Sequence, residues 1–287
     1  MATMALHSAP AFSHGSTSYA SSSRAPAAWE HPLDHAPTYC PEVVIDIPAS
    51  ADLDVDRLLE PVGKGAGTLR CRVRRMREKG VLELFVEEGN IFVLSASKAG
   101  KDWLIFEQGC GSNAKQQQKQ QHVARVRAHK DRTFTCIRAR LDGGSAPSEL
   151  LHVSHSTQNL SEDLPDLNVM RLALPKLPHM SLDAPCGVLG SRLRQHVERG
   201  ERGGEDLTLL ESRSPKWNGR TDTYELPFGG RANHASARNF QLVERGGQSD
   251  RPLLLYGKME EEEFALDFAH PLSVLHAFAI VLTTSTW

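Results

Sequence analysis

Two arginines spaced two residues apart are the side chains of this chain best suited to bind an anion. They stand in the run Val123–Arg127, Val-Ala-Arg-Val-Arg, in which charged and apolar residues alternate. On a strand this alternation places Arg125 and Arg127 on one face, with the apolar residues toward the core, and His129 continues the cationic face. Guanidinium groups make paired hydrogen bonds to phosphate oxygens. The spacing therefore predicts a phosphate-binding face, although two arginines on a strand are commonly no more than solvated charges.

The side chains that could carry catalysis are not arranged for it. His152 and His155, three residues apart, would point to opposite faces of a strand, and Ser154 is too close in sequence to form a triad with them. Gly229-Gly230-Arg231 lacks the strand–helix setting of a phosphate-binding loop. We therefore predict a binding protein without enzymatic activity, metal site or cofactor.

The size of the chain and its cysteines limit the class of protein. Its 287 residues are enough for one or two domains. The five cysteines are odd in number and scattered, which argues against a secreted disulfide framework or a zinc ribbon and indicates a reducing compartment. The longest apolar run, residues 272–282, is too short to span a bilayer. We expect a cytoplasmic monomer with no transmembrane segment.

Positive charge is concentrated in one part of a nearly neutral chain. The net charge of −2 excludes a generally basic nucleic-acid binder. Residues 70–140, however, hold sixteen Lys and Arg against seven Asp and Glu, and acidic residues cluster elsewhere, notably at 260–263. Each basic residue near an anionic membrane contributes about 1 kcal/mol of attraction. The same charges could contact nucleic-acid phosphates, but few aromatic residues are interleaved for base stacking.

Short apolar or alternating runs recur along most of the chain and predict about a dozen strands of an antiparallel barrel or sandwich. These runs are 68–74, 81–86, 91–96, 103–106, 122–127, 133–137, 169–174, 207–210, 224–228, 240–243, 253–256 and 264–268. The segment Pro271–Leu282 is apolar on nearly every side, which predicts a helix inside the protein. Together these features favour a closed barrel around a central C-terminal helix.

The amino-terminal part of the chain differs in composition from the rest. Residues 1–65 are rich in Ser, Ala and Pro without helical or strand periodicity, and we predict a disordered tail there. Residues 1–28, which contain hydroxyl side chains and no acidic ones, also fit a transit peptide. Residues 66–287 form the predicted folded domain.

Four stretches in the carboxy-terminal part resemble, in order and spacing, the carboxy-terminal domain of the Tubby family. They are Ser-Pro-Lys-Trp-Asn at 214–218, Tyr-Glu-Leu-Pro-Phe-Gly-Gly-Arg at 224–231, Ala-Ser-Ala-Arg-Asn-Phe-Gln-Leu at 235–242, and Phe-Ala-Leu-Asp-Phe at 264–268 followed by Pro-Leu and Ala-Phe-Ala-Ile. The resemblance implies a twelve-stranded barrel around a buried helix. It also implies binding of phosphoinositide headgroups, chiefly phosphatidylinositol 4,5-bisphosphate.

The resemblance also implies a set of site residues. Arg125 and Arg127 match the family's cationic pair, and Lys98 and Lys101 lie in a shortened version of its basic turn. Asp102 stands where the family has a polar amide, which would place an acid facing the phosphates. A third family arginine falls near position 147 and is not matched.

Two functions from different classes follow. The first is a phosphoinositide-binding tether or adaptor at the inner leaflet of the plasma or ciliary membrane, with membrane proteins as cargo. The second is a nuclear, DNA-associated transcription regulator that uses the same basic face.

Overall fold

The computed structural model describes residues 2–4, 55–107, 121–139, 148–176, 188–199, 206–247, 249 and 251–287. Three α-helices lie among them, α1 Val55–Leu59, α2 Val188–Arg199 and α3 Val274–Thr283, together with two short 3-10 helices, Glu88–Asn90 and Thr284–Thr286. The strands are β1 Ala2–Met4, β2 Thr68–Met76, β3 Val81–Val86, β4 Ile91–Ala99, β5 Asp102–Phe106, β6 Ala124–Ala128, β7 Thr133–Arg138, β8 Glu149–Gln158, β9 Leu167–Pro175, β10 Leu207–Ser212, β11 Lys216–Asn218, β12 Thr223–Leu226, β13 Phe240–Glu244, β14 Leu254–Lys258 and β15 Glu263–Ala269.

Twelve of these strands form a closed antiparallel barrel, as predicted. Strands β2 to β10 pair in chain order, and β13, β14 and β15 complete the circle back to β2. The set of strands that form the barrel differs from the prediction by one strand. The run predicted at 224–228 forms β12, which pairs with β1 and β11 in a small separate sheet, and β8 is the twelfth barrel strand. Several polar residues interrupt the apolar ones along β8, so the sequence shows no continuous strand pattern there.

The centre of the barrel is filled by α3, and all ten of its residues are buried. This confirms the predicted central helix. It begins at Val274, slightly later than predicted, because Ser273 caps it: the Ser273 hydroxyl accepts a hydrogen bond from the His276 amide at 3.2 Å. The His276 ring lies on the same hydroxyl, with Nδ1 3.0 Å away.

The packed structure begins earlier in the chain than the predicted boundary at residue 66. Leu58 and Leu59 in α1, and Val62 after it, are buried in the main core. The Val62 amide donates to the Leu272 carbonyl at 3.0 Å, just before α3. The apolar residues in this segment are too few to show periodicity, but α3 offers them a surface to cover. Residues 5–54, most of the predicted tail, lie outside the described residues.

A chain of three hydrogen bonds ties the end of α3 to the barrel wall. The Trp287 indole donates to His155 Nδ1 at 2.8 Å, so Nε2 carries the ring proton and donates to the Thr283 hydroxyl at 3.0 Å. That hydroxyl donates to the Ile280 carbonyl at 2.7 Å. Burial lowers the pKa of His155 to about 3. The neutral ring is therefore a structural part of the closed barrel.

The first prediction tests the burial of α3. Ala277, which is fully buried, should not tolerate a charge, and Ala277→Arg should lower the free energy of unfolding by about 3–5 kcal/mol or prevent folding. The measurement is urea unfolding followed by circular dichroism. Gln195→Arg on the exposed side of α2 is the control and should be close to neutral. A cooperatively folded Ala277→Arg protein of unchanged stability would contradict the buried helix.

The second prediction concerns acid. The pKa of His155 is about 3 in the folded protein and about 6.5 in the unfolded chain. The contribution of the neutral ring to the free energy of unfolding is therefore complete above pH 6.5 and is lost as the pH falls below that value. Between pH 7 and pH 5 this single group should cost about 2 kcal/mol of stability. His155→Gln should be less stable at pH 7 but should lose less on acidification. An equal loss in both proteins would show that His155 is not held neutral.

Candidate functional site

The inner positions of β6 determine where its two arginines point. Ala124 and Val126 are fully buried in the main core. Because neighbouring side chains on a strand alternate, Arg125 and Arg127 lie on the outer face. Arg125 is half-buried and Arg127 is exposed. The prediction that the two share one face is confirmed.

Asp102, at the start of β5, binds Arg125 and is not turned toward a ligand. Arg125 Nε lies 2.9 Å from Asp102 Oδ2, and Nη2 contacts the same oxygen. Oδ1 accepts a hydrogen bond from the Ala128 amide at 2.9 Å. Only 5% of the Asp102 side chain is exposed, against 43% of Arg125. The expectation of an acid facing the phosphates is therefore wrong, because both carboxylate oxygens are occupied within the sheet.

The carboxylate keeps its charge in this position. Burial opposes the ionisation of Asp102, but the Ala128 amide and the Arg125 guanidinium outweigh it and hold the pKa of the carboxyl below its usual value. The positive charge of Arg127 acts in the same direction. Among the described residues no carboxylate pairs with Arg127. Asp102, Arg125 and Arg127 together thus have a net charge of +1, and the exposed guanidinium group of Arg127 carries this charge at the surface.

The turn between β6 and β7 adds further cations beside Arg127. Lys130 and Arg132 are exposed there and form no ion pair within the described ranges. His129 lies on the Arg127 side, as predicted: its Nε2 is 3.0 Å from the hydroxyl of Thr135, the residue opposite Arg127 in β7. We call Lys101, Arg127, His129, Lys130 and Arg132 the β6–β7 patch.

The structure separates the two predicted lysines. Lys101, in the turn before Asp102, is exposed and belongs to the patch. Lys98 lies opposite Trp103 in the β4–β5 pair, and its ammonium stands 5.4 Å from the centre of the Trp103 ring. Trp103 is 4% exposed and belongs to the main core, so Lys98 faces the barrel end and not the arginine face.

One basic residue near the patch has no counterpart in the sequence prediction. Arg194 on α2 donates to Asp131 of the β6–β7 turn at 2.8 Å and to Glu198 at 2.7 Å. Because Asp131 and Glu198 compensate its charge, Arg194 stabilises the turn and does not add an unpaired cation to the patch. Position 147, where the resemblance left the family's third arginine unmatched, lies outside the described residues.

The acidic residues at 260–263 are not confined to a separate half of the molecule. Glu263 pairs with Arg72 and Arg74, and Glu262 pairs with Arg77. This part of the expected charge separation is wrong, because β15 lies beside β2 in the closed barrel. The exposed cations of the patch take no part in these pairs.

The described residues hold no arrangement typical of an enzyme. Cys71 and Cys136 are buried free thiols, and burial raises the pKa of Cys136 to about 12, far from thiolate reactivity at neutral pH. His152 and His155 point to opposite sides of β8 as predicted, toward Thr135 and toward Thr283. Within the described ranges, no group of three His, Cys, Asp or Glu side chains could hold a metal ion.

Comparison with known proteins identifies the family of this chain. The model of the Tub family matches residues 94–286, two thirds of the chain. The chain belongs to the Tub family. Human Tubby-related protein 3 is 27% identical over 257 residues, which cover 80% of this chain and 55% of that protein. Tubby-like F-box protein 9 of Arabidopsis thaliana is 28% identical over 190 residues, covering 56% and 49%.

Other relatives match a shorter part of this Tub-family chain. Tubby protein homolog 1 of Caenorhabditis elegans is 36% identical over 80 residues, 28% of this chain and 18% of that protein. The chain spans about half or less of the length of these relatives. No helix in the described part of the chain has the length and hydropathy needed to cross a bilayer.

The third prediction separates the two arginines by their effect on stability. Arg125→Ala would leave Asp102 buried without its cation and should lower the free energy of unfolding by about 1–3 kcal/mol. Arg127→Ala, at an exposed and unpaired position, should change it by no more than about 0.5 kcal/mol. Both are measured by urea unfolding. Adding Asp102→Asn to Arg125→Ala should restore much of the loss, and equal stability of the two single variants would contradict the assigned ion pair.

Proposed function

We propose that this Tub-family chain is a phosphoinositide-binding module that tethers or adapts proteins at membranes. The observation that carries the proposal is Arg127, an exposed cation without a carboxylate partner among the described residues, held beside Arg125 on a rigid strand. Phosphate groups of an inositol headgroup could accept hydrogen bonds from both guanidinium groups. The proposed lipid is phosphatidylinositol 4,5-bisphosphate, which family membership supports.

The distribution of charge supports an orientation for this binding. Lys101, Arg127, Lys130 and Arg132 lie at one end of the barrel, because the β4–β5 and β6–β7 turns are at the same end of an antiparallel sheet. Four basic residues near an anionic surface would contribute about 4 kcal/mol of attraction. The barrel would therefore approach a membrane with the patch first.

The adaptor role follows from the same proposal. Once tethered, the protein could carry membrane-protein cargo, including traffic into cilia, from a cytoplasmic, plasma-membrane or ciliary location; its family supports this role. DNA is the alternative partner because it also presents phosphates. Against DNA, the only large hydrophobic side chain that is exposed among the described residues is Leu160, so the patch offers no aromatic platform for bases.

The fourth prediction tests the site with vesicles that contain phosphatidylinositol 4,5-bisphosphate. Arg127→Ala should weaken co-sedimentation by about 10- to 100-fold, the value of one charge-assisted hydrogen bond of roughly 1.5–3 kcal/mol. Asp102→Asn should strengthen it several-fold, because the amide can still accept the Ala128 hydrogen bond while the negative charge beside Arg125 is removed. Arg171→Ala, an exposed arginine on β9, is the matched control and should bind like the wild type.

Two outcomes would count against the proposal. Wild-type binding by a folded Arg127→Ala protein would place the headgroup elsewhere. Retention of duplex DNA in a mobility-shift assay at physiological salt, without capture on these vesicles, would favour the nuclear alternative.

A further inference from the structure

A second cationic surface lies inside the mouth of the barrel, at the end where α3 finishes. It is a cavity of about 300 Å³ bounded by the β2–β3 hairpin, by Lys98 of β4 and by the turn that follows α3. We call it the end cavity. Its volume is at the lower end of the range for sites that hold small molecules.

Four cations line the end cavity, and three of them form no ion pair among the described residues. Arg77 pairs with Glu262, which lies beside it. Arg75, Lys98 and Arg238 form no ion pair within the described residues. Arg238 Nε donates to the Thr284 carbonyl at 3.3 Å, and the terminal nitrogens of that guanidinium group form no hydrogen bond to any other described residue. Burial and the neighbouring charge of Arg75 lower the pKa of Arg238, and Glu262 acts in the opposite direction without cancelling them.

The floor of the end cavity is apolar and aromatic. Trp103, Tyr256, Phe264 and Val281 line it, and each is at most 4% exposed. Tyr256 and Phe264 stack with their ring centres 4.9 Å apart. The Trp103 indole donates to the Ser285 hydroxyl at 3.2 Å, which fixes the wall below Lys98. A ligand that fills this space has a charged end at the rim and a ring or apolar body below.

We infer that the end cavity binds a phosphate monoester carried on a ring or apolar body. Three uncompensated cations call for more charge than a single carboxylate supplies, and a phosphate monoester carries about −1.5 to −2 at neutral pH. Two arginines can each offer a pair of N–H donors to its terminal oxygens. The phosphate could belong to a soluble metabolite or to a lipid headgroup, since the recognised chemistry is the same.

The end cavity is separate from the β6–β7 patch. Lys98 and Trp103 lie on the inner side of the β4–β5 pair, whereas Arg125 and Arg127 lie on the outer side of β6. Asp102, which holds Arg125, does not line the cavity. The two surfaces could therefore be occupied independently, although both lie at the same end of the barrel.

The fifth prediction uses phenyl phosphate as the probe and the whole protein labelled with ¹⁵N. Titration should shift the indole signal of Trp103 in a saturable way and leave that of Trp217, on the separate small sheet, in place. In calorimetry, Arg75→Gln/Arg238→Gln should weaken binding at least tenfold. Arg171→Gln, the matched control, should not change it. Lys98→Gln changes an exposed position and should weaken binding about threefold. This variant replaces the double variant in the test if the double variant does not fold.

Vesicles of phosphatidylcholine with phosphatidic acid distinguish the two sources of the phosphate. If these vesicles capture less of the Arg75→Gln/Arg238→Gln protein than of the Arg171→Gln protein, the ligand of the site is a lipid headgroup. Phenyl phosphate binding that depends on these residues, without such a fall, would assign it to a soluble ligand. No saturable shift of Trp103, or binding that is insensitive to Arg75, Arg238 and Lys98, would overturn the inference. These results are independent of the effect of Arg127→Ala on bisphosphate vesicles.

Discussion

The burial of α3 is the constraint on which the rest of this structure depends. A helix that is apolar on every side gains stability only if every side is removed from water. One open sheet would cover only part of it, whereas a closed barrel of twelve strands covers all of it and leaves no strand edge exposed. Polar groups at both ends of the helix form local hydrogen bonds: Ser273 caps the helix start, and His155 joins Thr283 and Trp287 at its end.

The enclosed core also creates the outer surface. Each barrel strand that points apolar residues toward α3 must point the alternate residues outward. The burial of Val126 therefore requires that its neighbour Arg127 lies on the outer face. The neighbouring strands then refine the charge. Asp102 of β5 holds Arg125 and supports the end of β6, while β15 brings Glu262 and Glu263 to the arginines of β2. The remaining unpaired cations at this barrel end gather at the β6–β7 patch and around the end cavity.

Much of this could be predicted from local patterns in the sequence. Short apolar or alternating runs identified eleven of the barrel strands. Period-two alternation placed Arg125 and Arg127 on one face, because the direction of a side chain on a strand depends on its position. The largely apolar composition of residues 271–282 was enough to predict a helix inside the protein. The helix α2 was not predicted, although the sequence contains a signal for it. Leu189, Leu193 and Val197 are spaced four residues apart, which is the spacing of one helical face.

The amino-acid sequence by itself thus determined the strand faces, the central helix and the positions of the cations along the chain. Only the tertiary structure decided which of those charges meet a partner. β8 joined the barrel in place of β12, Asp102 turned to Arg125 and not outward, and Lys98 came to lie over Trp103 at the cavity. The physical reason is that local alternation specifies a direction for each side chain, whereas pairing between charges depends on which strands become neighbours when the barrel closes.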